Sequence, residues 1–122
     1  MNKKYLYVTL VVVIFGILLA WLFMISQPTG ATLGSDSFAK CLAEKGVVMY
    51  GAYWCPHCQN QKKLFGNSFK NIKYVECTQE TKLCAEKKIT SYPTWEFMDG
   101  SRQEGEMNLG QLAEKTSCEI PK

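Results

Sequence analysis

The sequence predicts an α/β domain, a mixed four-stranded sheet covered by helices on both faces, carried behind an N-terminal transmembrane helix. Three observations predict it. An uncharged apolar run fills residues 5–25. Short strand-like runs then alternate with helix-like patterns from residue 36 onward. A Cys-x-x-Cys pair, Cys55 and Cys58, lies where the first strand-like run gives way to a helix.

The chain of 122 residues, 47% hydrophobic and 20% charged, suits one small domain plus an appendage. A net charge of +3, partly owed to Lys3 and Lys4, is far from the basic footprint of nucleic-acid binders, so no nucleic-acid partner is expected. Residues 1–4 form a short segment placed on the cytoplasmic side, because its paired lysines precede the apolar run and none directly follows it. Residues 5–25 would span about 31 Å as a helix, close to the thickness of a bilayer's hydrocarbon core. Tyr5, Tyr7 and Trp21 lie towards its ends, where amphipathic rings favour the interface. Thr29-Gly30-Ala31 offers the small residues that a signal peptidase needs. Signal-peptide cores usually run only about 7–15 residues, however, so the length favours an uncleaved anchor held by membrane lipid. Either way the domain that follows is exported to the periplasmic or extracellular side.

Six cysteines, all beyond the apolar run, agree with an oxidising compartment. The even number reads as one functional pair and up to two structural bridges.

Residues 26–35, rich in Ser, Thr, Gly and Pro, read as a linker, and residues 36–122 as the domain. Ser35 or Asp36 caps a first helix running to about Lys45, with Phe38, Cys41 and Leu42 on one face and Gly46 ending it. VVMYGAY, residues 47–53, reads as a strand buried on both faces. Pro56 suits the first turn of the next helix, which runs to about Phe65 and stops at Gly66. Residues 72–77, IKYVEC, are a second strand, and residues 78–88 a helix opening at Thr78. Residues 94–98, TWEFM, are a third strand. Asp99-Gly100 turns the chain into a fourth strand near residues 101–106. The last helix, residues 108–117, carries Leu109, Leu112, Ala113 and Thr116 at helical spacing. The Cys-x-x-Cys pair thereby falls at the carboxyl end of the first strand, where α/β sheets place their sites.

A zinc site would need two more ligands, and Cys77-x6-Cys84 with a single His in the chain matches no usual spacing, so no metal is expected. Attachment of c-type haem needs a His directly after the second cysteine, where Gln59 stands. A structural bridge within one helical turn would close a small loop and stabilise little. Redox chemistry is the remaining reading. Cys55 at a helix N-cap sits where unpaired N–H groups and the positive end of the dipole favour a thiolate, the nucleophile of disulfide exchange. Cys58, one turn further in, is placed to resolve a mixed disulfide. His57 adds a titratable cation that would further stabilise the Cys55 thiolate and bias the centre towards donating disulfides. The redox-active disulfide is itself the only cofactor expected. Trp54 reads as a wall for a bound partner, with a half-buried aromatic as the alternative, and Tyr53 as packing.

Strand, Trp54-Cys55-Pro56-His57-Cys58, helix, and then Tyr92-Pro93 before a hairpin resembles the thioredoxin fold over roughly residues 36–118. Cys-Pro-His-Cys is similar to DsbA-like disulfide oxidases. The wider wording is most similar to the thioredoxin-like domain fused to bacterial and plant homologues of vitamin K epoxide reductase. The resemblance implies that Pro93 is cis and packs on the redox pair, with the Tyr92 backbone pairing with an extended partner chain. It also implies exported thiol- or disulfide-containing proteins as substrates and a vitamin K epoxide reductase-like membrane oxidase as the recycling partner. Members often carry a buried carboxylate six residues before the first cysteine. Here that residue is Met49, which weakens a reductase role. An anchored reductase or isomerase for one client, or a binding module without catalysis, are the alternatives.

The other four cysteines allow three connectivities. Cys77 ends a strand and Cys84 lies on the helix after it, which favours Cys77–Cys84. Cys41–Cys118 then follows by elimination. Cys41 as a buried thiol, and Cys77–Cys84 as an electron relay, stay open.

Overall fold

The computed structural model describes residues 2–25 and 35–120. Most of the predicted linker, residues 26–34, lies outside them. The chain divides into two units, Met1–Ala31 and Thr32–Lys122.

The first unit is a single helix, α1 (Lys3–Ile25), whose apolar side chains, Phe15 and Trp21 among them, are exposed. Its Lys3–Phe23 stretch has a mean hydropathy of 2.7 and is long and apolar enough to cross a membrane, a description that a signal sequence also meets.

In the second unit, α2 (Asp36–Glu44) starts because the Ser35 hydroxyl accepts the Phe38 N–H at 3.2 Å, and Asp36 sits favourably in its first turn. It buries Phe38, Ala39 and Leu42. Gly46, at φ +72°, turns the chain out of it in a conformation that costs a side chain dearly. Strand β1 (Val48–Gly51) follows, then α3 (Pro56–Phe65) and a 3₁₀ turn (Gly66–Asn71). Together these cross over to β2 (Lys73–Glu76), parallel to β1. Helix α4 (Thr81–Glu86) leads to β3 (Thr94–Glu96), antiparallel to β1, and β3 pairs with β4 (Arg102–Glu104). The sheet order is β2-β1-β3-β4. Helix α5 (Leu109–Thr116) ends the fold with a capping box, in which Asn108 accepts from the Gln111 N–H and the Gln111 side chain returns to the Asn108 N–H.

The four strands are all shorter than the sequence suggests. β1 stops at Gly51, where the Cys77 N–H donates to the Gly51 carbonyl, and Ala52 begins the turn into α3. Helix α4 likewise starts at Thr81 rather than Thr78. The Thr78 hydroxyl donates to Glu76 at 2.7 Å, and the Gln79 and Glu80 N–H groups go to the Glu76 carbonyl, so that stretch is a turn. Gly66 does end α3 as expected, at φ +52°, and the chain then winds into the 3₁₀ turn instead of leading straight to the next strand.

Successive strand residues face opposite ways, and the core is accordingly split. Met49 lies in the larger cluster with Phe38, Leu42, Phe65, Trp95 and Leu112. Tyr50 lies in the smaller one with Cys77 and Cys84, backed by Val75 and Ile89. Each cluster holds a disulfide sulfur pair at its margin: Cys41–Cys118 joins α2 to the chain after α5, and Cys77–Cys84 joins the end of β2 to α4.

Candidate active site

Cys55 is the N-cap of α3, with extended backbone angles of φ −75° and ψ 118° and Pro56 directly behind it. Proline fits there because its missing N–H is one that the first turn leaves unpaired. The Cys55 sulfur accepts the Cys58 N–H at 3.5 Å and donates to the Tyr92 carbonyl at 3.6 Å. The Tyr92–Pro93 peptide is cis. Both thiols are free, and both residues are buried, Cys55 at 5% exposure and Cys58 at 1%. Cys55 is thus nearly as buried as Cys58, with the Tyr92 backbone lying against its sulfur.

Cys58 lies against the sheet. A β-carbon on Gly51 would come 2.8 Å from the Cys58 sulfur and 3.1 Å from the Tyr74 hydroxyl, so the sulfur occupies room that only glycine leaves. Burial pushes the Cys58 thiol up to about 12; the Cys55 sulfur adds to this, while the Ala52 backbone hydrogen bond and, more weakly, the Lys62 ammonium oppose it. The Tyr74 hydroxyl donates to Glu76 at 2.7 Å, and burial followed by that carboxylate pushes its phenol up as well. Burial alone would raise the Glu76 carboxyl, but bonds from Thr78, Tyr74 and the Tyr53 N–H hold it below its ordinary value.

The family profile described as Thioredoxin matches residues 30–118. The chain belongs to the thioredoxin family.

Among proteins of known name, Thiol-disulfide oxidoreductase LTO1 of Arabidopsis thaliana is 42% identical over 93 residues, 69% of this chain and 24% of that protein. Protein disulfide-isomerase A5 of Bos taurus is 30% identical over 77 residues, 53% of this chain and 15% of that protein. The chain thus spans a quarter or less of these two relatives. Among solved structures, Fasciola hepatica thioredoxin has 25% identity and a TM-score of 0.45, over 70% of this chain and 94% of that one.

Within this thioredoxin-family site, Cys55, Cys58 and the Tyr92 carbonyl meet near the carboxyl end of β1, and Pro93 follows Tyr92 across the cis peptide. Trp54 is 57% exposed and meets the Tyr92 ring edge-on at 6.1 Å. Tyr53 is corrected: it is 67% exposed rather than packed, because it sits in the turn beyond the strand's last paired residue. His57 has a partner that the sequence does not announce. Its Nδ1 lies 2.6 Å from a Glu106 carboxylate oxygen, to which Asn60 also donates at 3.2 Å. The His57 contact, then Asn60, holds the Glu106 carboxyl below its ordinary value. Glu106 is delivered there by Gln61, a buried α3 residue whose amide exchanges two hydrogen bonds with the Met107 backbone, at 2.9 and 2.8 Å. Met49, in the position where a carboxylate was sought, is fully buried in the larger core cluster. Among the described residues, no group of three or more His, Cys, Asp or Glu is placed to hold a metal ion.

Sequence reasoning missed Glu106, Gln61, Tyr74 and Glu76. Their relation to the site depends on residues 46 or more positions apart, or on the β1–β2 register, and no local pattern encodes either. Gly51 carried a usable signal, since a glycine inside a strand marks a close approach.

Proposed function

We propose that this chain is a membrane-anchored thiol–disulfide oxidoreductase that donates disulfides to exported proteins outside the cytoplasm. The observation that carries this reading is the placement of Cys55: its sulfur caps α3 and receives the Cys58 N–H, which favours the thiolate as attacking and leaving group. A substrate thiolate attacks the Cys55 sulfur of the Cys55–Cys58 disulfide, and the electron pair of the broken bond passes to Cys58. A second substrate thiolate then attacks the substrate sulfur of the mixed disulfide, releasing Cys55 as thiolate and leaving the substrate oxidised. The Tyr92 backbone beside Cys55 pairs with the extended substrate, and exposed Trp54 provides a wall for it. His57, two residues after Cys55 and paired with Glu106, is the proposed charged neighbour of the Cys55 sulfur. The dithiol is recharged by a quinone-linked membrane oxidase similar to vitamin K epoxide reductase homologues. Helix α1 is the anchor, with the N-terminus cytoplasmic and the domain on the other side.

Likeness to proteins named as a thiol-disulfide oxidoreductase and a protein disulfide-isomerase supports the chemistry. Refolding of reduced ribonuclease tests it: the oxidised wild type restores activity and Cys55→Ser does not. A binding module would show no difference between them. A Cys55–Cys58 potential below that of thioredoxin, about −270 mV, would overturn the donor direction. Trapping with Cys58→Ala in cells identifies the substrates.

A further inference from the structure

Opening the Cys55–Cys58 disulfide leaves a negative charge on a sulfur that is almost wholly buried, where an unpaired charge is costly. The groups packed around Cys58 show what offsets it. Lys62 follows Cys58 by four residues on α3, so both lie on the same face of the helix. Its neighbour Lys63 is exposed, whereas Lys62 is half-buried. The Lys62 ammonium is held 4.0 Å from the centre of the Tyr74 ring and 5.5 Å from that of Phe69. Tyr74 and Phe69 themselves meet edge to face at 5.5 Å. Tyr74 packs on the same spot above Gly51 as the Cys58 sulfur, and its hydroxyl is tied to Glu76. A phenol donating to a carboxylate has a more electron-rich ring, which holds a cation more firmly. An ammonium seated on the ring that packs, together with the Cys58 sulfur, above Gly51 suits a counter-ion for that sulfur better than a freely solvated charge does.

We propose that Lys62, seated on the Tyr74 ring, is the counter-charge for the Cys58 thiolate. Tyr74 is its positioning residue, and Glu76 in turn fixes Tyr74. This inference rests on the redox reading of Cys55 and Cys58. In the step concerned, an attacking thiolate forms a bond to the Cys55 sulfur, the Cys55–Cys58 bond breaks, and its electron pair goes to Cys58. The unit of negative charge thus moves from the attacker to the Cys58 sulfur, and no proton is needed for balance. In the reverse step the same ammonium favours the ionised Cys58 that re-forms the bond. Against the push of burial, the Ala52 backbone hydrogen bond lowers the Cys58 thiol most and the Lys62 ammonium adds to that lowering, in keeping with this role.

The test is the rate at which dithiothreitol opens the Cys55–Cys58 disulfide of the full chain in detergent. It needs no biological substrate, so a failure of this proposal is distinct from a failure of ribonuclease refolding. Lys62→Met keeps the stem and removes the charge; it should slow opening about tenfold, as expected for losing an opposite charge near an ionised group. Lys62→Arg should stay within about twofold of the wild type, since the cation and its affinity for an aromatic face are kept. Lys63→Met loses the same net charge from the exposed neighbour and should also stay within about twofold. Wild-type rates in Lys62→Met, equal slowing in Lys62→Arg, or equal slowing in Lys63→Met would each overturn the proposal.

Discussion

The Cys58 sulfur rests where a side chain of Gly51 would have to be: a β-carbon there would lie 2.8 Å from it. Gly51→Ala should therefore overpack the site, at a cost of about 1–3 kcal/mol. Denaturant titration of Gly51→Ala, Cys58→Ala and the double variant checks it. Part of the loss should return in the double variant, because truncating Cys58 removes the closest clash and leaves only Tyr74. Two independent, additive losses would refute the account.

Of the two structural bridges, Cys41–Cys118 should matter more. It closes 77 residues against seven for Cys77–Cys84. Loop-closure entropy alone gives about 4 kcal/mol for the first and about 2 kcal/mol for the second. Paired Cys→Ala replacements, compared by urea denaturation, should rank in that order.

Glu96 on β3 carries a pH prediction. It accepts from Lys87 at 3.0 Å and from Arg102 Nε at 2.8 Å, and Arg102 also reaches the Lys87 carbonyl. Burial alone would raise the Glu96 carboxyl, but the Lys87 and Arg102 bonds leave it below its ordinary value. A carboxyl depressed in the folded state adds stability above its unfolded value, about 4.3, and that stability is lost as pH falls through the folded value. Glu96→Gln should thus cost about 1 kcal/mol at neutral pH, in keeping with half-exposed partners. The gap to wild type should close progressively below about pH 4. A gap that widens on acidification would contradict the assignment.

Trp54 touches Tyr92 at its edge while more than half of it faces solvent. Trp54→Ala should leave stability within about 0.5 kcal/mol, as for other surface changes. It should raise KM in ribonuclease refolding without moving the Cys55–Cys58 potential. A shifted potential with unchanged KM would place Trp54 in the redox centre rather than in substrate contact.

Helix α1 is testable by a single charge. Val13→Lys puts an ammonium near the middle of the apolar run, at a cost of about 2.5–3.5 kcal/mol for membrane insertion. Carbonate extraction of membranes should then release more of the variant than of the wild type; equal retention would argue against α1 as the anchor.

Much of the fold could be read locally. Ser35, Pro56 and the Gly66 stop each act through one helical turn of neighbouring backbone, and the structure has α2 and α3 beginning, and α3 ending, where they say. The hairpin at Asp99-Gly100 is likewise local, with the Gly100 N–H returning to Phe97. Strand ends were less legible, because a strand stops where its partner stops: residues 47–53 look uniformly apolar, yet pairing covers only Val48–Gly51. The start of α4 was misread for a related reason. Thr78 has the chemistry of a cap but spends its hydroxyl on Glu76.

What the sequence determined by itself was the chemistry available: two thiols three apart at the start of a proline-led helix, behind an apolar run long enough for a bilayer. Those features depend on short-range geometry and on bulk apolarity, which composition and spacing carry. What only the tertiary structure decided was the surroundings of each thiol. Tyr92 reaches Cys55 from 37 residues away, Glu106 reaches His57 from 49, and the β1–β2 register sets Tyr74 and Glu76 beside Met49 and Gly51. Such placements follow from how whole elements pack, so the same Cys-Pro-His-Cys stretch acquires its covering carbonyl and its carboxylate only once the chain is folded.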